Sequence, residues 1–174
     1  MIRKLIPENT EDAYLIIKDV ISSMRKQGID QWDELYPDKL LIMKDILLNQ
    51  AVGYFDGCNL VGYMALNDEF APEYNFVKWN TNEPALIVHR LSVISAKQGN
   101  GIAGNMMLYA EQYAKENNYC SLRLDAFVKN PFANRLYLKL GYDKPGIIEL
   151  RKGLFNCYEK RISTDSDIGS NKNF

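Results

Sequence analysis

Residues 97–107 read KQGNGIAGNMM, and Gly99-x-Gly101-x-x-Gly104 stands at the head of an apolar-periodic stretch, the pattern of a loop that receives an anion. Backbone N–H groups at a helix start have no internal partners, the helix dipole is positive there, and glycine removes the Cβ atoms that would hold a ligand away. Pyrophosphate is the anion this geometry suits. A GxxxxGK[ST] phosphate loop is absent from the chain. The dinucleotide (NAD) reading gains from Asp125, about 20 residues past the last glycine, where a ribose-binding acid belongs. It loses because Ile94 to Gln98 separate the glycines from the preceding strand and His89-Arg90 interrupts that strand. About 50 residues remain after Asp125, too few to finish a doubly wound sheet.

His89 is the only histidine of the chain. On a strand it alternates with Ile87, Leu91 and Val93 on one face. There it is either a hydrogen-bonded structural residue or, because imidazole titrates near neutrality, a general base for an attacking ammonium. Arg90 points the other way and would hold a loop acid. Cys58, Cys120 and Cys157 are odd in number, far apart and without CxxC or histidine neighbours, which predicts reduced thiols, no metal site and a cytoplasmic protein.

These residues need elements to position them. Residues 2 to 6 predict a first strand, and Asn9 or Thr10 caps a helix whose apolar positions Ala13, Ile16, Ile17, Val20, Ile21 and Met24 recur at helical spacing until Gly28. A second helix runs from Leu40 to about Asn49. β-rich runs flank Asp56-Gly57, a hairpin turn signal, and residues 67–83 form a long polar and aromatic loop. Strand 85–93, helix 101–118, strand 120–127, helix 131–140 and strand-like runs 142–150 and 154–162 follow. The order is β-α-α-β-β-β-α-β-α-β-β: an α/β fold with a central mixed twisted sheet flanked by helices. Residues 1–162 read as one domain and the polar residues 163–174 as a flexible tail.

With 21 Lys plus Arg against 22 Asp plus Glu, the net charge of -1 provides no field for nucleic acid or an anionic membrane. The N-terminus breaks its apolar letters with charges and a proline, which predicts neither a signal peptide nor a membrane span.

Read one residue earlier, the glycine loop is Gln98-x-x-Gly101-x-Ala103 behind a strand ending in Val93. Here the sequence resembles the GNAT superfamily of acetyl-CoA-dependent N-acetyltransferases. Asn130-x-x-Ala133-x-x-Leu136-Tyr137-x-x-Leu140-Gly141-Tyr142 resembles the family's second cofactor segment. The likeness covers about residues 52–162 closely. The family more often carries Arg at position 98 and Gly at 103, and strand 85–93 lacks the glutamate that is the general base in some members.

The resemblance implies acetyl-CoA (coenzyme A) as cofactor. Strands 85–93 and 120–127 would be parallel neighbours that splay, so that the main chain of Leu91 and Val93 meets the pantetheine arm, with the Leu91 N–H aimed at the thioester carbonyl. Gln98, Gly99, Asn100, Gly101, Ile102, Ala103 and Gly104 would bind pyrophosphate, and Asn130 and Ala133 would touch the cofactor beside Tyr137. Tyr137 would protonate the departing thiolate, a phenol being a suitable donor to a thiol of comparable basicity. Trp32, Tyr36, Glu69, Tyr74 and Trp79 would flank the acceptor cleft, Glu69 attracting a cationic amine, although Trp and Tyr in loops also cover core edges. The implied reaction is acetyl transfer to a primary amine of a small molecule or peptide by direct attack in a ternary complex. Dimers are common in the resembled family, and a homodimer is open. A non-catalytic acyl-CoA-binding module on the same fold is the alternative, with an NAD-dependent oxidoreductase behind it.

Overall fold

A computed structural model of the protein describes residues 1–82 and 84–162. The polar tail expected over 163–174 lies outside the described residues. Seven strands form one sheet in the order β1 (Ile2–Lys4), β2 (Ala51–Asp56), β3 (Asn59–Asn67), β4 (Ala85–Val93), β5 (Ser121–Phe127), β7 (Gly153–Arg161), β6 (Asp143–Leu150). Only β4 and β5 run parallel; every other neighbouring pair is antiparallel. A doubly wound parallel sheet, on which the dinucleotide reading depended, is therefore not what this chain builds.

Helices cover both faces of the sheet. On one side α1 (Thr10–Lys26) and α2 (Lys39–Leu47) pack against it; on the other lie α3 (Ile102–Glu116) and α4 (Pro131–Lys139). The six apolar positions of α1 are all buried, and Glu11 and Asp12 in its first turn with Arg25 and Lys26 in its last complement the helix dipole. Strand alternation sorts the sheet's side chains between two cores: Leu122, Leu124 and Ala126 of β5 join Met106, Met107 and Ala110 of α3, while Phe127 joins Ile16, Ile17 and Ile42. Two neighbouring cores enclosing one sheet leave few soft places, and the irregularities are where cavities open. Among the described residues no helix is long and apolar enough to cross a membrane.

Several boundaries differ from the sequence reading for identifiable reasons. Asp56 pairs with Asn59, so the hairpin turns on Gly57-Cys58 with Gly57 at φ +60, one residue later than expected. The loop after β3 is not featureless: Pro72–Phe76 forms a 3-10 turn that buries Tyr74, and Trp79 Nε1 donates to the Tyr74 carbonyl at 3.0 Å. Such a turn is too short to leave a periodic signal. Helix α3 begins at Ile102 because Gly101 is its N-cap, at φ +78.

Candidate active site

The glycine loop is an open cradle. Gly99 and Gly101 both have φ +78, which favours glycine, and a Cβ at Gly99, Gly101 or Gly104 would meet nothing within 4 Å. Packing therefore does not require these glycines. The first helical bond of α3 is Asn105 N–H to Gly101 O at 3.0 Å, and no side chain caps the turn, so the N–H groups of Ile102, Ala103 and Gly104 have no helical acceptor. Ile102 buries its side chain in the core. Gln98 holds the loop in place through Nε2 to the Val93 carbonyl at 2.9 Å, and Asn100 Nδ2 donates to the Lys97 carbonyl at 3.2 Å.

Beside this cradle the sheet comes apart. β4 and β5 pair only at Ala85↔Ser121, Leu86↔Leu122 and Ile87↔Arg123, and beyond Ile87 the two strands have no ladder between them. A cavity of about 430 Å³ occupies the divergence, lined by Leu91 and Val93 on one side, Asp125, Ala126, Asn130, Ala133 and Tyr137 on the other, and Gln98, Gly99, Gly101, Ile102, Ala103 and Gly104 at its end. The Ile94 N–H bonds Val61 O at 3.0 Å, which makes Gly62↔Val93 a wide antiparallel pair and turns the Val93 N–H away from β3, toward the gap, while the Val93 C=O accepts from Gln98 Nε2. A strand edge with unpaired backbone groups and a mouth of free amides fits an extended, pyrophosphate-bearing molecule such as acetyl-CoA.

A β-bulge shapes the near wall. The β3–β4 register runs from Tyr63↔Ser92 to Ala65↔His89, so β4 carries one extra residue, and Arg90 has φ +56. The expected alternation of Ile87, His89, Leu91 and Val93 on one face is thereby broken. Ile87 lies in the α1–α2 core, whereas Leu91 and Val93 pack on the α3 side, because the bulge switches the strand's faces midway. Arg90 is indeed held by an acid, but one on α2 rather than in a loop: Nη2 lies 2.8 Å from both Asp45 oxygens, and Tyr63 Oη donates to the same carboxylate. Its Nε is buried without a partner among the described residues.

His89 Nε2 stands 2.8 Å from Asn67 Oδ1 and 3.0 Å from the Glu69 carbonyl, two acceptors that assign the proton to Nε2. Burial and, next, the neighbouring Arg90 charge lower its pKa to about 4, so the ring is neutral at pH 7. These bonds tie β4 to the end of β3 and to the loop after it, a structural role for His89.

Tyr137 is buried on α4 between Tyr142 and Tyr158, with ring centroids 6.1 and 5.3 Å away. Burial, with smaller contributions from Asp125 and Tyr158, holds its phenol well above the usual tyrosine range, so it keeps its proton. Asn130 caps α4 by accepting the Ala133 N–H at 3.2 Å, and its Nδ2 donates to Gln31 Oε1 at 2.8 Å. Its amide thus fastens the helix start to the loop before α2.

A second cavity, of about 480 Å³, adjoins the first and shares Gln31, Trp32, Val88, Arg90 and Asp125 with it. Of the aromatic and acidic loop residues singled out in the sequence, Trp32, Tyr36, Glu69 and Tyr74 line it together with His89. Trp79 lines neither cavity. It stacks under the Arg123 guanidinium, 4.5 Å from its ring centre, and packs on the core, the cover role that loop tryptophans also play. The sequence reading missed the part played by Asp125, which it weighed only as a ribose ligand. It sits where the two cavities meet, accepting a hydrogen bond from Tyr74 Oη at 2.7 Å, and burial raises its pKa, partly offset by that bond. A carboxylate set among Leu122, Leu124, Ala126 and Phe127 was the available signal.

Residues 17–142 match the family model described as the Acetyltransferase (GNAT) family. A GNAT-family acetyltransferase from Streptococcus agalactiae superposes with a TM-score of 0.84 at 25% identity, over 94% of this chain and 96% of that one. One from Listeria monocytogenes gives 0.74 at 21% identity over 92% and 94%. The paia N-acetyltransferase of Thermoplasma acidophilum, solved in complex with coenzyme A, gives 0.68 at 20% identity over 92% and 98%, a likeness of fold alone. No curated protein matches. With more than half of its length matched, its sheet parted between β4 and β5 and its amide cradle at the end of the gap, the chain belongs to the GNAT acetyltransferase family.

Proposed function

We propose that this chain transfers an acetyl group from acetyl-CoA to a primary amine by direct attack, with both substrates held at once. The observation that carries the reading is the ladder between β4 and β5 ending at Ile87 and Arg123, which leaves a backbone-lined gap continuous with a second, differently lined cavity. Two cavities meeting at one wall give two substrates a common meeting point.

The free amides of Ile102, Ala103 and Gly104 would hold the diphosphate, and the Leu91 and Val93 main chain would hold the arm, with the Leu91 N–H toward the acyl oxygen. When bound, acetyl-CoA supplies an acyl group activated as a thioester. Tyr137, protonated at neutral pH and lining the gap, is the donor for the leaving sulfur. Trp32, Tyr36, Glu69 and Tyr74 would shape the acceptor side. A panel of amines incubated with acetyl-CoA, with free thiol as readout, tests the proposal. Thiol release that depends on a particular amine and on Tyr137 supports it. Tight coenzyme A binding without transfer to any amine would instead favour a non-catalytic acyl-CoA-binding module.

A further inference from the structure

The charges around the second cavity do not balance, and the imbalance names what it holds. Its basic side chains already have acids: Arg90 is paired with Asp45 at 2.8 Å, Arg151 with Asp33 at 2.8 and 2.9 Å, and Lys152 with Asp30 at 2.7 Å. Among its acids, Glu69 at the exposed rim has Lys44 at 3.7 Å. Asp125 has no cation among the described residues. Its one hydrogen bond there is the Tyr74 hydroxyl on Oδ2, which leaves Oδ1 without a donor. Asp125 is half-buried and lines both cavities, so its open oxygen can meet a cationic group that enters the cavity, with no counter-charge of the protein to displace.

We infer that Asp125 is the anchor for the acceptor's ammonium group, which enters through the second cavity, and that the acceptor is a cationic amine with no carboxylate beside the amine. This rests on the acetyl-transfer reading and adds to it the acceptor's docking point and chemical class. The position suits the role, because Asp125 is on the wall shared with the gap between β4 and β5, and Tyr137 lines that gap too. Trp32, Tyr36 and Tyr74 give the cavity an aromatic lining, surroundings that suit a cation and its alkyl stem. An α-carboxylate would find every lining cation engaged, and would lie close to Asp125. Loss of a proton from the anchored ammonium to this carboxylate breaks one N–H bond and forms one O–H bond on Oδ1, and the freed lone pair on nitrogen is the nucleophile. The raised pKa of the carboxyl makes it a better acceptor than an exposed aspartate.

The test uses Asp125→Asn, which is isosteric and still accepts the Tyr74 hydroxyl. Coenzyme A, which has no acetyl group to transfer, is bound first, and its affinity reports on the acetyl-transfer reading independently. n-Butylamine, alaninamide and alanine are then titrated into that complex by calorimetry. The expected result is binding of n-butylamine and alaninamide, at least 10-fold weaker binding of alanine, and a loss of about 10²-fold for n-butylamine in Asp125→Asn, the scale set by truncating one partner of a desolvated charge pair. Coenzyme A affinity should stay within roughly 3-fold, because the substitution keeps the side chain's size and leaves untouched the amides at the head of α3 and the Leu91 and Val93 main chain that hold the cofactor. The inference is overturned if Asp125→Asn binds n-butylamine like the parent, if alanine binds as well as alaninamide, or if none of the three binds a protein that does bind coenzyme A. A loss caused by Glu69→Gln but not by Asp125→Asn would overturn it too, placing the anchor at the rim. Failure of coenzyme A itself to bind would refute the acetyl-transfer reading.

Discussion

Gly101 separates what the fold needs from what the ligand needs. It caps α3 at φ +78, and a Cβ there meets nothing within 4 Å. Replacing it with Gln introduces no clash and costs only the left-handed backbone, about 1–2 kcal/mol. For a chain of this size that lowers Tm by roughly 2–8 °C. Gly101→Glu has the same shape and the same backbone cost but adds a carboxylate at the positive end of α3, a favourable placement of about 0.3–1 kcal/mol. Without ligand, the Glu variant should therefore melt slightly above the Gln variant. With ligand the order reverses. A carboxylate about 4 Å from a phosphate charge repels it by ~4 kcal/mol at the effective dielectric of a protein surface, which corresponds to a loss of at least about 10² in coenzyme A affinity beyond that of the Gln variant. Differential scanning calorimetry of the apoproteins and titration calorimetry with coenzyme A measure both. Equal coenzyme A affinity for Gln and Glu at position 101 would show that no phosphate docks on the amides at the head of α3, and the cofactor assignment would fall with it.

Other consequences follow from single contacts. Tyr137→Phe should lower kcat by about 10²-fold or more with little change in coenzyme A affinity, measured by steady-state thiol release; unchanged turnover removes Tyr137 from the chemistry. Asp45→Asn leaves the Arg90 guanidinium buried with no counter-charge, the two side chains being 6% and 3% exposed, and should destabilise the protein by roughly 3 kcal/mol in urea unfolding. His89 has its pKa lowered from 6.5 to about 4, so the unfolded chain binds the proton more tightly. Its contribution is fully present above pH 6.5 and is lost as pH falls toward 4, by up to roughly 3 kcal/mol. His89→Gln should accordingly show a flatter dependence of Tm on pH between 7.5 and 5 than the parent.

The element order and the glycine cradle were legible in the sequence because both rest on short-range rules. Helical spacing in Ala13 to Met24 dictates which stripe of α1 must be buried, and the glycines at 99 and 101 mark where the backbone enters the left-handed region. Asn130-Pro131 likewise announces a capped helix start, and the bond from Ala133 N–H completes it. What the letters could not carry was anything set by a neighbour distant in the chain. The bulge at Arg90 arises from how β4 registers on β3, and it moved Ile87 and Leu91 to opposite faces although their spacing in the sequence is even. Trp32 and Trp79 look alike as loop aromatics, yet one lines the cavities and the other lies against Arg123.

By itself, then, the sequence determined the kind of fold and where a loop of free backbone amides heads α3, since periodicity, caps and left-handed glycines act within a few residues. Only the tertiary structure decided which acid faces the open space. Asp125 is one carboxylate among many until packing pairs Asp33, Asp45 and Glu69 with cations and leaves it with a tyrosine hydroxyl, and desolvation of that kind depends on every element around the site.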